Sequence, residues 1–237
     1  NLKEEYSDMA VIKYHAFQND PFETTATLDR VNFYNMTSFP STRIDGEKVD
    51  PWNNYDSHKA LIDSSLNSES DFHITSYGNP VNDGVEVTVH VEKANDVAIE
   101  AVKLFVVLTE SSIPYDWFSL DEVNYVARKI APDSDGDLLD FESGNILTKT
   151  FSLETENTWN ADNMHVITFI QSAQTFQIHQ ADAFAMQELG LDTKQNETFR
   201  IFPNPADEFL TIKTDRQIEN LRVYDLPGNL VFSERDI

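Results

Sequence analysis

A chain of 237 residues, 40% hydrophobic and 24% charged, is long enough for one to two domains with a substantial buried core. Seventeen basic against forty-one acidic residues leave a net charge of -24, which argues against nucleic acid and anionic membrane as partners, since both call for a basic surface. Cysteine is absent, so these residues form no disulfide, thiol nucleophile or thiolate metal site, and the longest apolar run, Leu104–Leu108, is far too short to span a bilayer as a helix.

The first residues, Asn1-Leu2-Lys3-Glu4-Glu5, hold neither an apolar secretion-signal core nor an initiator methionine, so the expectation is a processed product. The tail of a helix is expected over Leu2–Asp8. Ala10–His15 is a short apolar run that reads as a buried strand, and Asp20-Pro21 punctuates it as a turn. Thr24 or Thr25 can cap a helix running to about Tyr34, with Leu28 and Val31 on one side. Ser38–Gly46 reads as a strand entered through Pro40 and left through an Asp45-Gly46 turn. Ser57 is the expected cap of a second helix in which Leu61, Ile62 and Leu66 share a face.

After Ser70 the period changes to two. Val85, Val87, Val89 and Val91 alternate with Glu86, Thr88, His90 and Glu92, the pattern of a strand with one buried and one wet face. Asn82-Asp83-Gly84 is turn chemistry, which makes Phe72–Tyr77 the hairpin partner. Further strands are expected at Ala101–Thr109, Val123–Ile130, Ile146–Leu153, His165–Gln171 and Thr175–Ala181. Short strands separated by turns suggest an antiparallel sandwich of immunoglobulin type. A helix is expected around Asp182–Leu189 and a polar linker at 191–197. Phe209–Lys213 and Leu221–Tyr224 read as strands of a last small β module over 198–237, followed by the turn Leu226-Pro227-Gly228-Asn229 and the apolar pair Val231-Phe232.

Asp133-Ser134-Asp135-Gly136-Asp137 is the best metal candidate, because alternating carboxylates in a turn can direct oxygens at one hard cation such as Ca2+. It is not an EF-hand loop, since Gly136 stands fourth and Gly144 twelfth. The bland alternative is a solvated hairpin turn, where Asp and Gly are favoured. The six histidines show no H-x-H or H-E-x-x-H spacing; only His165 and His179 could meet across neighbouring strands, too few donors for a zinc shell. No nucleophile elbow and no phosphate-cradling glycine loop exist, and no catalytic or cofactor-binding residue is assigned. Trp52, Trp117 and Trp159 lie in loop-like contexts, where exposed indoles can stack on sugars or, more plainly, cover a sandwich edge. The acidic surface favours divalent cations or basic partners.

Two sets of residues resemble known families. Ala10–Gly46, with Phe39-Pro40-Ser41 entering a strand and Asp45-Gly46 closing it, resembles the second half of a thioredoxin-like fold, and Pro40 matches its cis-proline. Tyr14-His15, Asp20-Pro21-Phe22, Phe33-Tyr34 and Phe39–Gly46, with Val126-Ala127-Arg128-Lys129 and Thr168-Phe169-Ile170-Gln171, resemble more specifically the outer-membrane-protein-28 family of Bacteroidetes, over about residues 8–182. Phe202-Pro203-Asn204-Pro205-Ala206, Leu210-Thr211-Ile212, Leu221-Arg222-Val223-Tyr224-Asp225 and Gly228 are similar to the C-terminal sorting domain of the type IX secretion system. The resemblance implies a mixed α/β plus all-β chain: a truncated thioredoxin-like segment over 1–69, an immunoglobulin-like β-sandwich over 70–190, and a partial sorting domain over 198–237. It further implies a secreted or outer-membrane surface protein of a Gram-negative bacterium, handled by the type IX machinery. The expected function is non-enzymatic binding of an extracellular protein or glycan. The competing class is a thiol-disulfide oxidoreductase whose catalytic cysteines lie upstream of Asn1, since that chemistry needs a low-pKa thiol at a helix N-terminus.

Overall fold

A computed structural model describes residues 2–7, 9–17, 19–94, 101–118 and 120–186, and strands within 200–202, 211–213, 220–224 and 230–235. The chain divides into two compact units, Asn1–Leu191 and Asp192–Ile237. The 191–197 linker, the Phe202–Ala206 motif beyond its first residue and the Leu226–Asn229 turn lie outside the described residues.

The first unit opens with a short helix α1 (Leu2–Glu5) and helix α2 (Thr25–Phe33). Thr24 caps α2 as anticipated: its Oγ1 accepts from Thr27 N at 3.1 Å, and Thr27 Oγ1 accepts from Thr24 N at 2.9 Å, satisfying two end amides. Two strands of two residues, β1 (Arg43–Ile44) and β2 (Glu47–Lys48), turn about Asp45-Gly46. Helix α3 (Tyr55–Leu66) starts before the expected Ser57, because Asn54 Oδ1 accepts from Ser57 N at 2.9 Å and so caps it first. Of its supposed shared face only Ile62 is buried, and Leu66 is exposed.

Then come β3 (Phe72–Val81), β4 (Gly84–Lys93), β5 (Val102–Glu110), β6 (Ile113–Trp117), β7 (Leu120–Val123), β8 (Val126–Ala131), β9 (Asp137–Leu138), β10 (Ile146–Glu154), β11 (Met164–Ser172) and β12 (Ile178–Ala185). Of the seven strands that build the two main sheets, the first, second and fifth form the antiparallel sheet β10-β4-β3. The others form β12-β11-β5-β8, with β9 added beside β5. β12 runs through Ala185, so the first four residues of the helix expected from Asp182 are strand.

Val85, Val87, Val89 and Val91 of β4 meet Leu104, Val106 and Leu108 of β5 and Val166 and Ile170 of β11 in one core between the sheets. Each such side chain contributes about 1.5–3 kcal/mol of burial free energy. The alternate residues of the same sheet, Phe105, Val107, Ile167 and Phe169, are buried as well, against Ala10, Ile12 and Tyr14. Leu104–Leu108 is an unbroken apolar run because both of its faces are covered.

Residues 10–15 correct one expectation. They run extended but make only one parallel bridge, Lys13 to Val126, so they lie on the sandwich as a cover and form no strand. The strand expected over Ser38–Gly46 shrinks to β1, whose partner β2 is equally short. Among the described residues of 1–69 there is no sheet beyond this hairpin. The Phe39–Pro40, Asp50–Pro51 and Ala131–Pro132 peptides are cis.

The second unit contains two hairpins, β13 (Arg200–Phe202) with β14 (Thr211–Lys213), and β15 (Asn220–Tyr224) with β16 (Leu230–Arg235). The expected strands at Phe209–Lys213 and Leu221–Tyr224 are present where described, but as separate two-stranded sheets.

Candidate functional site: an aromatic groove

The chain between β5 and β8 leaves the main sheet and folds back as the β6–β7 hairpin. Ser112 N donates to Asn124 Oδ1 at 2.8 Å, tying the two ends together. At its tip Phe118 takes a positive φ of 48° and stands 79% exposed. Opposite lies the loop after residues 10–15. Asp20 shapes that loop: its N–H donates to Phe17 O at 2.8 Å, its Oδ1 accepts from Phe22 N at 2.9 Å, and its Oδ2 lies 2.8 Å from His15 Nδ1. Thr27 Oγ1 donates to His15 O at 2.7 Å, fixing the same loop to α2. Phe17 is thereby held outward, 52% exposed.

Between loop and hairpin opens a groove of about 310 Å³ lined by Phe17, Asn19, Tyr115, Asp116, Trp117 and Phe118. Its walls are braced from behind. The His15 ring meets Trp117 at 5.6 Å and Phe22 at 5.2 Å, and Phe22 meets Tyr115 edge-on at 5.2 Å. Below them Arg128 Nη2 and Nε bind Glu110 Oε2 at 2.7 and 2.8 Å, a largely buried pair, while Arg128 also covers Phe22 at 5.1 Å and Trp159 at 5.2 Å. Four rings with one amide and one carboxylate can stack on a ligand's flat or charged face and hydrogen-bond its edge.

A second aromatic cluster is sealed. Arg30, 1% exposed, sits among Phe105, Phe33 and Tyr34 at 4.4, 4.7 and 4.9 Å. Its Nη2 donates to Tyr34 Oη at 2.9 Å and to Gln171 Oε1 at 2.5 Å. Burial pushes the Tyr14 phenol upward, with Arg30 pulling the other way. This cluster fastens α2 to the outer face of the β5–β11 sheet, with Arg30, Tyr34 and Phe105 buried and Phe33 and Tyr14 half-buried at its edge.

The sequence candidates fare unequally. Asp133, Asp135 and Asp137 are not brought together. Asp133 Oδ1 accepts from Asp135 N at 2.8 Å and Gly136 N at 3.1 Å, closing its own turn; Asp135 pairs with Lys103 at 2.6 Å; Asp137 pairs with Lys149 at 3.0 Å. Two lysines from other strands divert the carboxylates that a calcium ion would need. Among the described residues no group of three or more His, Cys, Asp or Glu side chains could hold a metal. Accordingly, millimolar calcium is expected to shift the melting temperature by less than ~1 °C, and Asp135→Ala to cost no more than ~1 kcal/mol, since only an exposed pair is lost. A calcium-dependent rise abolished by Asp135→Ala would restore the cation site.

Pro40 lies on the surface beside the exposed Phe39. His165 pairs with Ala185 while Gln171 pairs with Ile178, so His165 and His179 stand near opposite ends of the β11–β12 pair. Trp159 packs against the core as a cover, whereas Trp117 lines the groove. The β6–β7 hairpin is an addition to the strands that the sequence predicts. Its one signal was the alternation Ile113, Tyr115, Trp117, interrupted in meaning by Pro114.

The family model for outer membrane protein Omp28 matches residues 28–188. A model for the secretion system C-terminal sorting domain matches residues 200–236. Among solved structures, HBP35 of Porphyromonas gingivalis is similar with a TM-score of 0.58 at 11% identity, covering 89% of this chain and 72% of that one. A domain of the outer membrane lipoprotein Omp28 from the same organism gives a TM-score of 0.36 at 15% identity, covering 49% of this chain and 88% of its own. No curated protein matches the chain. At these identities the HBP35 likeness shows the fold, a mostly antiparallel β architecture with a few helices.

Proposed function

We propose, from the premise that this chain belongs to the Omp28 outer membrane protein family and ends in a type IX sorting domain, that residues 1–191 are a non-enzymatic binding module displayed at the cell surface or secreted. The sorting domain implies handling by the type IX machinery, and no helix among the described residues is long and apolar enough to cross a membrane. The observation that carries the binding role is the groove, whose outermost rings, Phe17 and Phe118, lie exposed on a braced frame. Large exposed rings grouped around a concavity cost solubility and are the usual mark of an interaction site.

In this reading residues 70–190 are the immunoglobulin-like part. The strand order supports it, with first, second and fifth strands in one sheet and third, fourth, sixth and seventh in the other. The thioredoxin-like reading of residues 1–69 rests on the resemblance of Ala10–Gly46, with Pro40 at the cis-proline position. Residues 1–237 hold no cysteine, so thiol exchange by them is excluded and an insulin-reduction assay is expected to stay at background.

The double variant Phe17→Ser, Phe118→Ser tests the binding role. On peptide and glycan arrays, a ligand retained by the parent is expected to bind the variant at least about tenfold more weakly, with the melting temperature within ~2 °C. Unchanged array binding would remove the groove from the function.

A further inference from the structure

We infer that the groove receives a cationic side chain, an arginine or lysine presented by a basic peptide segment of the partner; this rests on the groove being the binding site. The lining supplies what a desolvating cation needs. The lining gathers Phe17, Tyr115, Trp117 and Phe118 with Asp116. A cation over the faces of such rings is attracted by the ring quadrupole, and the attraction grows as water is excluded.

Charge points the same way. The hairpin from Ile113 to Val123 carries Asp116, Asp121 and Glu122, all exposed, and no lysine or arginine. Asp116 and Asp121 make no ion pair among the described residues. The protein already binds its own guanidinium groups on aromatic faces: Arg30 on Phe105 at 4.4 Å, and Arg43 on Phe176 at 4.4 Å. The groove gathers rings of the same kinds at the surface, with Asp116 among its lining residues. A net charge of -24 further concentrates basic partners and repels anionic ones.

The test uses the whole chain, with acetylated tri-arginine amide as probe and tri-citrulline amide, its uncharged isostere, as reference. Calorimetry near physiological ionic strength suppresses long-range attraction. Tri-arginine is expected to bind, tri-citrulline at least about fivefold more weakly, and Phe118→Ala and Asp116→Asn each to weaken tri-arginine about two- to fivefold. Asp83→Asn, at the remote β3–β4 turn, is expected to change nothing. Equal binding of the two peptides, or equal effects of Asp83→Asn and Asp116→Asn, would overturn the cation assignment. A neutral oligosaccharide whose binding is lost in Phe118→Ala, with no response to tri-arginine, would overturn it too while leaving the groove as the binding site. No probe sensitive to Phe118→Ala would sink both.

Discussion

Replacing Arg30 by alanine is expected to cost about 3–5 kcal/mol of folding stability, read as a lower urea midpoint at unchanged slope. The guanidinium is 1% exposed and no carboxylate pairs with it among the described residues. Ring faces and the Gln171 amide oxygen stand where a counter-ion would, and Arg30 Nε has no hydrogen-bond partner. Alanine would open a cavity between α2 and the sheet and strand Gln171 Oε1 in a dry site, adding a desolvation penalty to the lost packing. Two further variants separate charge from shape. Arg30→Met fills most of the space and removes a buried charge, so its loss is expected to be less than half that of alanine. Arg30→Lys keeps a charge that is more strongly hydrated and cannot fork, and is expected to fall nearer alanine. Equal losses for all three, or an alanine loss below ~1 kcal/mol, would show that the ring box contributes little.

Gly46→Ala is expected to lose about 2–5 kcal/mol, measured by thermal unfolding. Its φ is +91°, and a Cβ there would lie 1.8 Å from the Phe176 carbonyl oxygen, a backbone atom with little room to move. The contact is part of a seam. Ile178 N donates to Asp45 O at 3.0 Å, Arg43 Nη1 donates to Gly46 O at 2.8 Å, and Gln171 Nε2 donates to Phe176 O at 2.9 Å. Pushing Phe176 away would loosen the β1–β2 turn and the β11–β12 loop together. Gly144→Ala is the control, with positive φ but nothing within 4 Å of its Cβ. It should lose only the conformational part, about 1–2 kcal/mol. Similar losses at both sites would mean that the seam yields easily.

These residues show where sequence is legible. The valines of β4 and the Asp83-Gly84 turn announce themselves, because polar residues hold the alternate, half-covered face of that strand and the period is two. Thr24 is legible because capping is local chemistry. Ala10–His15 misleads because apolar content reports burial, and here burial comes from lying across another sheet, with backbone pairing confined to Lys13. The ion pairs of the Asp133–Asp137 loop are not legible, because Lys103 and Lys149 arrive from other strands, which no local pattern encodes. The groove is nearly invisible: exposed rings leave no burial period, and Asp20, which shapes one wall, stands almost a hundred positions before the other.

The sheet built on β5 and β11 is dry on both sides, and one of its two coverings is a stretch without regular structure followed by a helix. In evolutionary terms this sets the smallest piece that recombination can move. A crossover near residue 70 would carry the sandwich away from Ile12, Tyr14 and Arg30 and leave Phe105, Val107, Ile167 and Phe169 bare, an apolar surface that favours aggregation over inheritance. The heritable module therefore includes Ala10–Tyr14, even though likeness to the family model starts only at residue 28.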